Sequence, residues 1–214
     1  MATPTGLRER KKQQTRELIA QTARRLFLAR GFDRVPVAEI ARAADVSEKT
    51  VFNYFPRKED LVYFQLESFE EQLLGAVRDR APGESVLDAF RQFVLRQRGL
   101  LAEPDPEAAE RLAALTRMIT ESPALLARER EIFERYADAL AALLAEETGS
   151  KPDDVEPRVV ANALMGVHQS LVDFSRARIV AGERGPRLQR QVRAQGKRAL
   201  ETLGRGLQGY GARG

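Results

Sequence analysis

Apolar side chains recur at intervals of three and four residues along almost the whole chain, the spacing that gathers them on one face of a helix. No segment shows the strict alternation of a half-buried strand, so the pattern predicts an all-α chain. The first helix runs from Thr15 to Arg30, with Leu18, Ile19, Ala23, Leu26 and Phe27 inward and Gly31 closing its end. A second starts at Pro36, whose fixed φ suits a first turn, and buries Val37, Ile40, Ala41 and Ala44. Ala44-Asp45-Val46-Ser47 then turns the chain sharply, because Asp accepts a left-handed backbone more readily than most residues with a Cβ. Ser47 caps a third helix, which points Val51 and Phe55 inward and Glu48, Lys49, Thr50, Asn53 and Tyr54 outward until Pro56 ends it.

The periodicity continues through a larger second part. Lys58 to Arg80 reads as one long helix carrying Leu61, Phe64, Leu66, Phe69, Leu73, Leu74 and Val77 inward, and Ala81-Pro82-Gly83 breaks it. Ser85 caps the next, which runs through Phe90 and Phe93 to Leu101, before a break at Pro104 and Pro106. A helix with Leu112, Leu115, Met118 and Ile119 follows, then one starting at Ser122-Pro123 and stopping at Gly149. Two more span Pro157 to Ala181 and Arg187 to Leu207, and the small residues Ala163, Gly166, Gly196 and Ala199 on them permit close helix approach. The expected organisation is a disordered basic tail over 1–12, a helix-turn-helix domain over 13–58, a larger helical domain over 59–208, and a flexible tail over 209–214.

The three N-terminal helices form the unit a helix-turn-helix needs to bury its own back. The outward residues of the third are hydrogen-bonding groups suited to base edges and phosphates in a major groove wide enough for one helix. Charge points the same way. Residues 1–58 hold 13 Lys and Arg against 6 Asp and Glu, whereas residues 59–173 hold 12 against 23, so the basic end is the nucleic-acid end. Arg8, Arg10, Lys11, Lys12 and Arg16 extend the patch into the tail, either to follow a DNA backbone or simply as a solubilising segment. Residues 174–214 are basic again, 10 against 2, which reads as a solvated face balanced by the acidic middle or as a second contact to nucleic acid or a membrane surface.

Ala23-Arg24-Arg25-Leu26-Phe27, Gly31-Phe32, Val37-Ala38-Glu39-Ile40-Ala41, Val46-Ser47, Thr50-Val51-Phe52, Tyr54-Phe55 and Lys58-Glu59-Asp60-Leu61 stand in the order and spacing of one known domain. Over residues 12 to 62 the chain resembles the tetracycline-repressor (TetR) family of bacterial regulators. The resemblance implies a recognition helix beginning at Ser47, with Ser47, Lys49, Thr50 and Asn53 facing the groove and Tyr54 and Lys58 gripping phosphates. It also implies a homodimer built by the last two long helices, an operator of two related half-sites read as a palindrome, and repression of transcription. A small, mostly apolar effector would sit between the helices of the body. Two positions depart from the family pattern. Val35-Pro36 stands where a Thr-Thr pair is usual, which removes a hydroxyl contact to phosphate, and Asp45 stands where glycine is usual, which stiffens the turn.

Phe90, Phe93, Met118, Phe133, Tyr136, Met165, His168 and Phe174 are the candidate lining of an effector pocket, as aromatic and Met positions at helical spacing that could equally be packed core. His168 is the single histidine and lacks the companion donors of a metal site, so neither a metal nor a cofactor is expected. There is no cysteine, and hence no disulfide or thiol chemistry. No paired carboxylates or nucleophile–base set suggests an enzyme. A helical interaction protein that does not bind DNA is the remaining alternative. With no apolar run near 18 residues and no signal-peptide pattern, the chain is expected to be cytoplasmic, without a membrane partner, and on the nucleoid when DNA-bound.

Overall fold

A computed structural model describes residues 4–96, 105–151 and 153–207. Within them the chain is helical and contains no strand. In order come α1 (Pro4–Arg30), α2 (Val37–Ala43), α3 (Glu48–Tyr54), α4 (Asp60–Tyr63), a 3-10 turn (Phe64–Leu66), α5 (Glu67–Arg78), α6 (Val86–Leu95), α7 (Pro106–Glu121), α8 (Pro123–Thr148), α9 (Glu156–Val180) and α10 (Gly185–Leu207). Two compact units divide them. One comprises residues 1–67 and 118–128, the other 68–117 and 129–214.

Three sequence expectations are corrected. The structure places the basic stretch Arg8–Lys12 in α1, which starts at Pro4 rather than at Thr15. Its Arg, Lys, Gln and Glu residues are good helix formers, and the turns that follow the stretch carry bonds from Thr15 Oγ1 to Lys11 O at 3.0 Å and from Gln13 to Glu17. On the same helix Leu18 is half exposed, and Thr22 takes a buried place beside Ile19, Ala23 and Phe27. The predicted helix from Lys58 to Arg80 is interrupted by the 3-10 turn at Phe64–Leu66. There the Phe64 ring meets Phe55 edge-on at 5.8 Å and lies under the Arg16 guanidinium at 5.1 Å, anchoring the tightened turn to α1 and the end of α3. Finally, α6 stops at Leu95, where Arg96 turns extended. Leu101, the break at Pro104 and the tail over 209–214 lie outside the described residues, as do residues 1–3.

In the second unit α10 packs on α9 and α6. Gly196 makes this approach possible, because a Cβ there would stand 2.6 Å from Leu95 Cδ2 and 3.1 Å from Leu171 Cδ1. Ala113, Ile179 and Leu188 close the core beside it, with Leu112 and Val192 against them. Buried Arg80 ties three segments, donating to Val77 O at 2.6 Å and Glu84 O at 3.2 Å and pairing with Glu147 at 2.6 Å. Glu129, only 7 % exposed, receives a forked pair from Arg176, with Nη1 at 2.6 Å from Oε2, and so clamps α8 to α9.

Candidate nucleic-acid interface

The site is built by α1 to α4 in the first unit. Ile19, Ala23 and Phe27 of α1 pack with Phe32, Val35, Ile40, Ala41, Val51, Phe55 and Leu61, all buried. Val35, which replaces the hydroxyl-bearing residue of the family pattern, is fully enclosed in this core. Gly31, at φ +85°, closes α1 through a bond from its N–H to Phe27 O at 2.8 Å. Arg30 then forks onto Glu39 at 2.7 and 2.6 Å, tying α1 to α2.

The turn between α2 and α3 sets the angle of the third helix. Asp45 holds φ +53°, the left-handed region, while its N–H bonds to Arg42 O at 3.2 Å and that of Val46 to Ala41 O at 2.9 Å. Those two bonds are the pair that satisfies the last carbonyls of a helix when the next residue turns left-handed. Asp performs there the role usually given to glycine. Ser47 follows in an extended conformation and starts α3, with its Oγ receiving the Thr50 N–H at 3.0 Å and lying 2.8 Å from Thr50 Oγ1.

Successive residues of a helix are rotated by about 100°, so the exposed arc of α3 comprises Glu48, Phe52, Lys49 and Asn53. Thr50 and Tyr54 flank it, half-buried, and Val51 lies on the far side in the core. Of the six predicted contact residues, Lys49 and Asn53 are therefore central to the face and Thr50 and Tyr54 lie at its edges. Ser47 is exposed, but its hydroxyl is engaged in the cap. Lys58 is turned inward: Nζ donates to Phe32 O at 2.7 Å and stands 4.3 Å above the Phe32 ring and 5.7 Å from that of Phe27. Burial holds its ammonium below the ordinary lysine range, against a smaller upward pull from Asp33 and Glu59. Sequence reasoning misses Phe52, because a phenylalanine between Val51 and Phe55 reads as core. The 100° rotation is the signal that places it outside.

The pocket candidates do not form one constellation. Phe93, Phe133, Tyr136 and His168 gather around Phe69 of α5, which stacks on His168 at 4.7 Å and on Tyr136 at 5.3 Å and meets Phe93 edge-on at 5.2 Å. Phe133 closes the group at 5.5 Å from His168. Phe69, absent from the predicted lining, is its hub. Phe90 and Met165 are buried, Phe174 lies under Arg178 at 5.2 Å, and Met118 belongs to the first unit rather than the second. Among the described residues no cluster of three or more His, Cys, Asp or Glu could hold a metal, and no helix is long and apolar enough to cross a membrane.

A short third helix, packed from behind and carrying an exposed cationic and amide-bearing face, defines a helix-turn-helix DNA-binding protein. Residues 19–63 match the family described as bacterial regulatory proteins, tetR family, and residues 84–182 match the MftR C-terminal domain. The chain is 30 % identical over 171 residues to the HTH-type transcriptional regulator TcmR of Streptomyces glaucescens, covering 78 % of this chain and 76 % of that one. It is also 30 % identical over 177 residues to the nucleoid occlusion factor SlmA of Vibrio vulnificus, covering 78 % and 87 %. Among solved structures, NalD, the secondary repressor of the MexAB-OprM multidrug efflux pump in Pseudomonas aeruginosa, shares the fold with a TM-score of 0.56 at 22 % identity, over 92 % of this chain and 96 % of that one. The chain belongs to the TetR family. It is a DNA-binding transcriptional regulator and not an enzyme.

Proposed function

We propose that the protein is a ligand-responsive repressor that binds a palindromic operator as a homodimer, on the nucleoid in the cytoplasm. The observation that carries this reading is the exposed arc of α3, where Lys49 and Asn53 project from a helix whose opposite side is buried. Lys49 offers donors to a guanine edge, and the Asn53 amide fits the N6/N7 edge of adenine. Tyr54, Arg57 and the exposed cations of α1 supply phosphate contacts, and Ser47 and Thr50 join them through whatever hydrogen-bonding capacity the cap leaves. Lys58 keeps two further N–H groups beyond its bond to Phe32 O and would reach a phosphate only from its inward position.

One small helix reads too few bases alone, and two-fold symmetry brings a second head to a half-site about 34–36 Å away, or a multiple of that. The second copy fits α9. Val155, Val159, Asn162, Gly166, Asp173, Ala177 and Val180 fall on one exposed stripe, with Val155 73 % and Val159 56 % exposed and open space beyond Gly166. The effector site is the ring cluster around Phe69, where a small apolar molecule would separate the rings and take their contacts. Helix α8 supplies Phe133 and Tyr136 to that cluster. Its first turns are bonded in the DNA-binding unit, where Leu125 O accepts from Tyr63 Oη at 2.9 Å and Arg128 pairs with Asp60 at 2.8 Å. A ligand that prefers one setting of α8 shifts DNA affinity by that preference and no more.

Selection of bound fragments from genomic DNA tests the reading. Enrichment of one imperfect palindrome upstream of a few genes is the expected result, and enrichment of no sequence contradicts it.

A further inference from the structure

The groove-facing arc of α3 carries one large apolar group. Phe52 is 44 % exposed, and of the ten phenylalanines in the chain it alone falls in the exposed class. It stands three residues after Lys49 and one before Asn53, and on the exposed arc its ring lies next to Lys49, on the side away from Asn53. Unlike Phe27, Phe32, Phe55 and Phe64 around it in the first unit, it has no ring or cation partner among the described residues. Lacking a hydroxyl, it can neither donate to a phosphate nor accept from a base.

In the major groove all four bases offer hydrogen-bonding groups, and one of them, thymine, also offers an apolar group, its 5-methyl. We infer that Phe52 is a specificity-determining residue that selects thymine at one position of each half-site by covering that methyl. The inference rests on the proposed docking of α3 and adds to it a base identity that Lys49 and Asn53 do not set. An apolar ring left in water gains on transfer to a methyl surface. Against cytosine or a purine edge at the same place, it would instead cover unpaired polar atoms.

The test uses the full-length protein and the palindrome it selects from a random duplex library. Each thymine is replaced in turn, symmetrically in both half-sites, by deoxyuridine, which lacks only the methyl. Wild type should lose about fourfold in affinity for each methyl removed at one position and nothing at the others. Phe52→Ala should bind more weakly, lose its thymine preference there and become indifferent to deoxyuridine, while Phe52→Leu keeps the methyl sensitivity. A wild type insensitive at every thymine, or a Phe52→Ala protein retaining the same loss per methyl, overturns the inference while leaving the DNA-binding reading intact. The deoxyuridine scan of wild type stands even if the alanine variant fails to fold. A wild type that enriches no sequence at all overturns both.

Discussion

Ser47 is the residue at which capping and DNA contact can be told apart. Its Oγ receives the Thr50 N–H at 3.0 Å and lies 2.8 Å from the Thr50 hydroxyl, so Ser47→Ala removes both partners at the start of α3. Loss of a serine N-cap costs about 0.5–2 kcal/mol, typically about 1. A helix of seven residues has no independent stability, so the cost falls on the packing of the unit. In a chain of this length, about 1 kcal/mol lowers the unfolding midpoint by about 2–4 °C. Ser47→Thr retains the acceptor and should lie near wild type. Well below the midpoint the Ser47→Ala helix is still formed, and because the hydroxyl is already engaged, operator affinity should fall by less than about threefold. Thermal unfolding followed by circular dichroism, paired with fluorescence anisotropy on the selected operator, measures both quantities. An unchanged midpoint together with a tenfold loss of affinity would refute the capping argument and return Ser47 to the groove.

Two glycines of the C-terminal helices should respond oppositely. Gly196→Val forces side-chain atoms onto Leu95 and Leu171 and should cost about 1–3 kcal/mol or more in urea unfolding. A Cβ at Gly166 meets nothing within 4 Å in the subunit, so Gly166→Trp should leave the fold intact while turning a dimer into a species of 24.0 kDa by light scattering. Arg176→Met strands the buried Glu129 carboxylate and should destabilise by about 3–5 kcal/mol, whereas the double variant with Glu129→Leu recovers most of that loss, as read by a urea double-mutant cycle. Raising salt from 50 to 200 mM should weaken operator binding by about 10³ to 10⁵ if six to ten phosphates are contacted, and a flat anisotropy titration series would exclude the basic face as the docking surface.

Much of this architecture is legible because periodicity and punctuation agree locally. Gly31, Asp45, Ser47, Ser85 and Gly149 mark helix ends where backbone chemistry demands them, and Val51 and Phe55 identify the inner side of α3. What escapes the sequence depends on tertiary partners. The interruption at Phe64 reflects the ring of Phe55 and the guanidinium of Arg16, and nothing in the local pattern distinguishes it from a continuous helix. Phe69 has the same periodic signature as its core neighbours, and only its position against His168, 99 residues further along the chain, makes it a hub. The inward turn of Lys58 follows from the Phe32 carbonyl lying within reach, an arrangement that no residue pattern encodes. Phe52 escapes for the opposite reason, since hydrophobic character suggests burial even on a helix whose outward face has another use.

The central claim is that the exposed arc of α3 reads base edges. Affinities of wild type and of a Lys49→Ala/Asn53→Ala double variant should be compared on the selected palindrome and on a scrambled duplex of equal composition. Each good base contact contributes about 1–3 kcal/mol of discrimination, so the double variant should lose at least tenfold of the preference for the palindrome while its binding to the scrambled duplex changes far less. A double variant that is folded, dimeric and as selective as wild type would contradict the account.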